Sequence, residues 1–227
     1  MSVPHEWQNC PEKSNLIADR FLAFKTFLDS RYDAKVPEEN RWQLSMLQDY
    51  LARYEQKTLG LVIDLTNTSR YYNWNVLNDA GIEYIKINCK GHDESPSAEQ
   101  IDNFITNCSE FWNDEPEKII GVHCTHGFNR TGFLIISYLV QVLGWRLEDA
   151  NQVFLQNRPP GIYKQPYLDD LCKRYDESKS LQAPELPEWC LEEEEGSEFA
   201  SLSNAVSLHV SSKEEGPWVK QTDLDKS

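Results

Sequence analysis

IIGVHCTHGFNRTGFLIISYLVQVL, residues 119–143, joins a short apolar run to a long one through a polar decapeptide. Ile119-Ile120-Gly121-Val122 is short, apolar and β-branched, which suits a fully buried strand, whereas Phe133 to Leu143 is long enough and apolar enough for a buried helix. The decapeptide His123-Cys124-Thr125-His126-Gly127-Phe128-Asn129-Arg130-Thr131-Gly132 is therefore a strand-to-helix turn. In that geometry the N–H groups of the loop and of the first helical turn converge on one point, and the helix dipole adds to them, so the turn is an anion nest sized for a phosphoryl group.

The same field acts on Cys124. A helix N-terminus and a nearby arginine lower a cysteine pKa from about 8.5 into the range ~3.5–7.5, so the sulfur is expected as a thiolate at neutral pH. Arg130, six positions on, presents a planar fork that matches two equatorial oxygens of a phosphoryl group in transfer, which lysine cannot do. Thr125, His126, Gly127, Phe128, Asn129 and Arg130 make the cradle. Gly127 lets the backbone bend with φ > 0, and the Thr131 hydroxyl sits where it can hydrogen-bond the departing sulfur. His123 is read as orienting the loop. His126 is read first as a packing or hydrogen-bonding histidine, with catalysis the alternative. The competing reading of the whole motif is a buried structural thiol beside a surface arginine.

The decapeptide has the HCxxGxxRTG form of the cysteine-dependent phosphatases, the superfamily of protein tyrosine and dual-specificity phosphatases. It resembles most closely the RNA 5′-triphosphatase domain of metazoan mRNA capping enzymes. The resemblance extends to Trp7–Pro11, Arg20-Phe21-Leu22 with Lys25-Thr26, Asp64–Tyr72, Cys89–His92 and Arg158–Lys164, in the same order, from about Pro4 to Tyr175. It implies a triphosphate-ended nascent RNA as substrate, loss of the γ-phosphate through a phosphocysteine, and no cofactor or metal. It also implies a nuclear location, a guanylyltransferase partner, and contact with RNA polymerase II through a full-length protein. No Lys-x-Asp-Gly tetrapeptide occurs here, so the expectation is a chain without the guanylyltransferase: a fragment, a variant form or a stand-alone triphosphatase. Asp93, about thirty residues before the cysteine, stands where related protein phosphatases place a general acid. A leaving diphosphate with its last pKa near ~6 has little need of one, and the bland reading of Asp93 is a solvated loop carboxylate. Two alternatives stay open: a dual-specificity or RNA 5′-phosphatase that removes both γ and β phosphates, and a non-catalytic phosphate-binding module.

Composition limits the partners. With 37 acidic and 22 basic residues the net charge is −15, which argues against a general basic face for polyanions. RNA must be gripped locally, by a cationic pocket whose candidate walls are Arg70, Lys90, Arg158 and Lys164. Residues 177–227 hold 12 acidic and 4 basic residues. The expected division is thus a phosphatase domain over 1–178 and an acidic, Ser-rich disordered linker over 179–227. Six cysteines without a CxxC pair and an N-terminus without an apolar signal fit a reducing compartment, and no apolar stretch is long enough to span a bilayer.

The remaining scaffold reads as α/β. Leu59–Leu65 and Tyr84–Ile87 are strands; Ala98–Trp112 is an amphipathic helix opened by Ser95-Pro96-Ser97. Helices then run from Leu147 to about Asn157 and from Pro166 to Tyr175. Alternating strands and helices predict a mostly parallel central sheet with helices on both faces, a cysteine phosphatase (dual-specificity-like) fold, with the ligand at the carboxyl ends of the strands.

Overall fold

Four parallel strands form the sheet of the computed structural model, which describes residues 1–91 and 93–190. They are β1 (Phe21–Lys25), β2 (Leu59–Asp64), β3 (Glu83–Lys86) and β4 (Ile119–Cys124), in the spatial order β1-β4-β2-β3. β1, β2 and β4 are buried at every position, as parallel strands covered on both faces must be, and the edge strand β3 is partly exposed. β1 was not anticipated. Its five residues, FLAFK, are too few to stand out as a strand.

Helices cover both faces, as expected. On one side α1 (Leu44–Tyr50), extended by a wide turn over Leu51–Glu55, and α2 (Asn75–Asp79) bury Leu47, Leu51 and Leu77 against Leu22, Phe24 and Val62. On the other, α3 (Ala98–Asp114), α4 (Asn129–Gln141), α5 (Leu147–Asn157) and α6 (Gln165–Tyr175) pack on Ala23, Ile63 and Val122. α3 starts with a capping box. Ser97 accepts the Gln100 N–H while the Gln100 side chain accepts that of Ser97, which together are worth about 1 kcal/mol. α4 begins at Asn129, ahead of the apolar run at Phe133, because Asn129 and Thr131 are buried polar residues that the site uses.

Register brings the chemistry to one end. Lys25 lies opposite Cys124, and Asp64 lies opposite both His123 and Lys86, so the charged residues gather where the strands end. The compact unit runs from Met1 to Trp189, past the boundary expected at residue 178. Gln165 grips the chain there: its side-chain N–H donates to the Leu181 carbonyl (2.8 Å) and its Oε1 accepts the Ala183 N–H (2.8 Å). Residues 191–227 of the expected linker, and His92, lie outside the described residues. No helix among the described residues is long and apolar enough to cross a membrane.

Candidate active site

The turn predicted between β4 and α4 closes around the sulfur of Cys124. Gly127 has φ +74°, and a Cβ there would stand 2.2 Å from the Phe24 carbonyl oxygen, so only glycine fits. That bend aims the Gly127 N–H at Cys124 Sγ, 3.2 Å away. Burial alone would raise the Cys124 pKa. Arg130, the Thr131 hydroxyl and the N–H groups of Gly127 and Phe128 outweigh it, and the net direction is down. The Thr131 hydroxyl is buried and makes no hydrogen bond by geometry, so its dipole is left for the sulfur. Two neighbouring thiols show what the loop contributes: burial pushes both Cys10 and Cys89 up to about 12. Arg130 lowers Cys89 too, but Cys89 has no ring of amides. Only Cys124 of the three is built to be an anion.

Arg130 is aimed by carbonyls on two other strands' loops. Its Nη1 donates to the Leu65 oxygen (3.2 Å) and the Cys89 oxygen (2.9 Å), and its Nη2 to Thr125 Oγ1 (3.1 Å). Gly91, at φ +82°, leaves room for the guanidinium, since a Cβ there would meet Arg130 Cζ at 3.0 Å. The carbonyl of Leu65 is fixed in turn by the Asp64 network. Asp64 accepts from the Thr66 N–H (2.8 Å), the Tyr84 hydroxyl (3.0 Å) and Lys86 Nζ (2.8 Å), while Lys86 also reaches Thr66 Oγ1 and the Thr68 carbonyl, each at 2.7 Å. Burial works against the Asp64 carboxylate, but the Lys86 ammonium and the Thr66 N–H hold its pKa below the ordinary value. Asp64 thus ties the following loop to the strand ends, reinforced by Lys86 and Tyr84, which sequence reasoning missed. Their signal was a lysine and a tyrosine in the short strand EYIK.

His123 orients the loop from within. It is fully buried and burial lowers its pKa, so it is neutral. The Cys124 carbonyl can only accept, so Nδ1–H donates to it (3.1 Å) and Nε2 accepts from the Tyr72 hydroxyl (2.8 Å). His126 is held likewise: Nε2–H donates to the His5 carbonyl at 2.7 Å, and burial takes its pKa down to about 4, which makes it a neutral hydrogen-bonding residue.

Arg158 is a correction. Expected in the wall of the substrate pocket, it is instead 1% exposed and lies beneath the loop. Its Nε donates to the Gly127 carbonyl (3.3 Å), its Nη2 to those of Pro11 and His126 (2.8 Å each), and its guanidinium covers the Phe128 ring at 4.1 Å. With those carbonyls turned inward, the N–H groups of the loop are left to face the sulfur. Arg158→Met should cost about 2–4 kcal/mol of stability, because it strands one buried and two part-buried carbonyls at about 1–3 kcal/mol each, the part-buried ones regaining some of this from water. Urea denaturation of the variant checks this, and a loss below about 1 kcal/mol would contradict the strut.

The other wall candidates are near the surface. Lys164 pairs with Asp93 (3.2 Å), joining the candidate wall and the candidate acid in one contact, and Lys90 pairs with Glu94 (3.3 Å). Arg70 lies in the loop after β2, over the Tyr71 ring at 5.1 Å. Exposed pairs of this kind are worth only ~0–1 kcal/mol, so either lysine can exchange its carboxylate for a phosphate oxygen at little cost. Asn129 anchors this side of the site, with its Oδ1 accepting the N–H groups of Tyr163 (3.0 Å) and Lys164 (3.1 Å). Among the described residues no cluster of His, Cys, Asp and Glu could hold a metal ion.

A cysteine of lowered pKa at the carboxyl end of a parallel sheet, beside the N–H groups of Gly127 and Phe128 and a fixed guanidinium, defines a cysteine-dependent phosphatase. The sequence matches the catalytic domain of the dual specificity phosphatases over residues 44–177, and the chain belongs to that family. It is 51% identical to the mRNA-capping enzyme of Danio rerio over 194 residues, which is 85% of this chain and 32% of that protein. The Caenorhabditis elegans mRNA-capping enzyme is 44% identical over 192 residues, covering 83% of this chain and 31% of that protein. The RNA/RNP complex-1-interacting phosphatase of Mus musculus is 39% identical over 187 residues, covering 80% and 57%. The chain therefore spans about a third of the length of the capping enzymes it matches, and the resemblance read from the motif is borne out. The crystal structure of PTPMT1 shares the fold, with a TM-score of 0.53 at 16% identity over 73% of this chain and 94% of that one.

Proposed function

We propose that the chain is a polynucleotide 5′-triphosphatase that removes the γ-phosphate of nascent pre-mRNA and leaves a 5′-diphosphate end for capping. The observation that carries this reading is the 51% identity to a capping enzyme over a segment that contains the whole cradle, together with the lowered pKa of Cys124. Cys124 Sγ attacks the γ-phosphorus; an S–P bond forms, the bridging P–O bond breaks, and the diphosphate-ended RNA departs with the electron pair. Arg130 holds two equatorial oxygens through the displacement, and the amides of residues 125–130 take the third. Water then attacks phosphocysteine, inorganic phosphate leaves, and the restored thiolate is met by the Thr131 hydroxyl. The leaving diphosphate, with its last pKa near ~6, departs already charged, so the step proceeds without Asp93, which gives up Lys164 to a phosphate oxygen. No metal takes part. Lys164, Lys90 and Arg70 receive the α and β phosphates. The product is consumed by a guanylyltransferase outside this chain, in the nucleus and beside RNA polymerase II.

A second reading, removal of both γ and β phosphates, follows if the same cradle admits a diphosphate end. Phosphate release decides between them. Triphosphate-ended RNA should turn over at least about tenfold faster than diphosphate-ended RNA, and chelator should leave the rate unchanged. Equal turnover of both ends would establish the second reading, and loss of activity in chelator would overturn the metal-free mechanism.

A further inference from the structure

Trp189 stands among acidic residues in a segment that its composition marks as linker, yet its ring packs against the phosphate loop. The centroid of Trp189 is 5.7 Å from that of His126, 5.5 Å from that of Phe128 and, edge-on at 85°, 5.9 Å from that of Tyr163. All three partners are tied to the cradle. His126 and Phe128 belong to it, and the Tyr163 N–H is bound by Asn129 Oδ1. The segment leading to Trp189 is itself fixed, because Gln165 holds residues 181 and 183 by both ends of its amide. Gln165 follows Lys164, whose Nζ meets Asp93.

The rest of the loop is braced from other directions. Arg158 draws the carbonyls of His126 and Gly127 inward, and His5 pins the His126 ring through its carbonyl. Trp189 completes this bracing on the face of His126 and Phe128 that the other contacts leave to packing. An aromatic plate against His126 and Phe128, two alternate positions of the loop, limits how far it can tilt.

We propose that Trp189 is a positioning residue for the phosphate loop, so that the segment following the phosphatase domain completes the site instead of merely leaving it. This rests on the catalytic reading of Cys124 above.

The test uses the full chain. Trp189→Ala should lower kcat by about ten- to a hundredfold with KM changed less, as expected for a small displacement of groups that act in the transition state. The acid limb of kcat/KM should also move to higher pH, since misplaced amides hold the thiolate less well. The charged and titratable groups around Cys124 are Arg130, Cys89, Cys10, Arg158 and Tyr167, and Trp189 carries no charge of its own, so a moved limb reports the loop. Trp189→Phe should restore kcat to within about threefold, because a second aromatic ring keeps the contact. An unchanged kcat and pH profile in Trp189→Ala, or a loss that only tracks the amount of folded protein, overturns the proposal. If the alanine variant does not fold, Trp189→Phe decides: inorganic phosphate should change the fluorescence of the parent chain and change it much less in the variant, and equal changes overturn the proposal. Each measurement is repeated with an aryl phosphate as substrate. An error in the RNA reading appears as a preference for that substrate, whereas an error about Trp189 appears as an unshifted profile on both.

Discussion

Cys124→Ser should abolish phosphate release, with a loss of at least about 10⁴-fold, while the chain folds and still binds inorganic phosphate. The substitution replaces one atom. Every backbone amide of the cradle keeps its place, and Arg130 keeps its three acceptors at Leu65, Cys89 and Thr125. What changes is ionisation. Arg130, Thr131 and the amides of Gly127 and Phe128 bring a thiol below its ordinary value against the opposing effect of burial. The same groups cannot bring an aliphatic hydroxyl, many units less acidic, into the neutral range, and no residue beside it is a free base. His123 is neutral but its Nε2 accepts from Tyr72, and His126 spends its Nε2–H on His5. Phosphate release by the purified variant measures this directly, with binding of inorganic phosphate as the control for folding. More than about a tenth of the parent rate would mean that the sulfur is not the nucleophile.

Arg130→Lys should lower kcat/KM by on the order of 10²–10³-fold although the charge is kept. Lysine has no fork, so it cannot satisfy the Leu65 and Cys89 carbonyls with one nitrogen, reach Thr125 with another and still present two N–H groups to phosphoryl oxygens. The pH profile carries a second signature. Arg130 is the largest influence that lowers the Cys124 pKa, so weakening it raises that pKa. Less thiolate is then present at the low end of the range, and the acid limb of kcat/KM moves upward. A variant with reduced rate but an unmoved limb would show that Arg130 binds substrate without tuning the sulfur. Rescue of the parent rate by lysine would show that charge alone suffices.

Much of the scaffold could be read from the chain because its signals are local. Leu59–Asp64 and Ile119–Cys124 are apolar runs of strand length, Leu147–Asn157 stops before Arg158-Pro159-Pro160, and Ser97 with Gln100 is a capping box in sequence before it is one in space. β1 escaped because FLAFK is as short as many loops, and what makes it a strand is pairing with β4 almost a hundred residues later. The short helices α1 and α2 escaped for a similar reason: each buries a single residue, Leu47 or Leu77, and is held by tertiary packing rather than by its own pattern. Composition marks residues 179–227 as linker, but it reports the average character of a segment and is blind to a single tryptophan, Trp189, that finds three aromatic partners.

By itself the chain determined the strand-to-helix turn and the spacing that sets Cys124 and Arg130, the proposed nucleophile and its arginine, around it. Those depend on residues a few positions apart, whose spacing decides which N–H groups can converge on one sulfur. It could not determine which way a charged side chain points when its partners are distant. Arg158 had the composition of a substrate-binding wall and became the strut under the loop, because carbonyls from Pro11, His126 and Gly127, up to 147 residues away, are arranged to receive it. Lys164 and Asp93 were read separately and form a pair across 71 residues. Hydrogen-bond partners and desolvation are properties of a place in the folded molecule, and that place is set by the packing of the whole sheet and its helices.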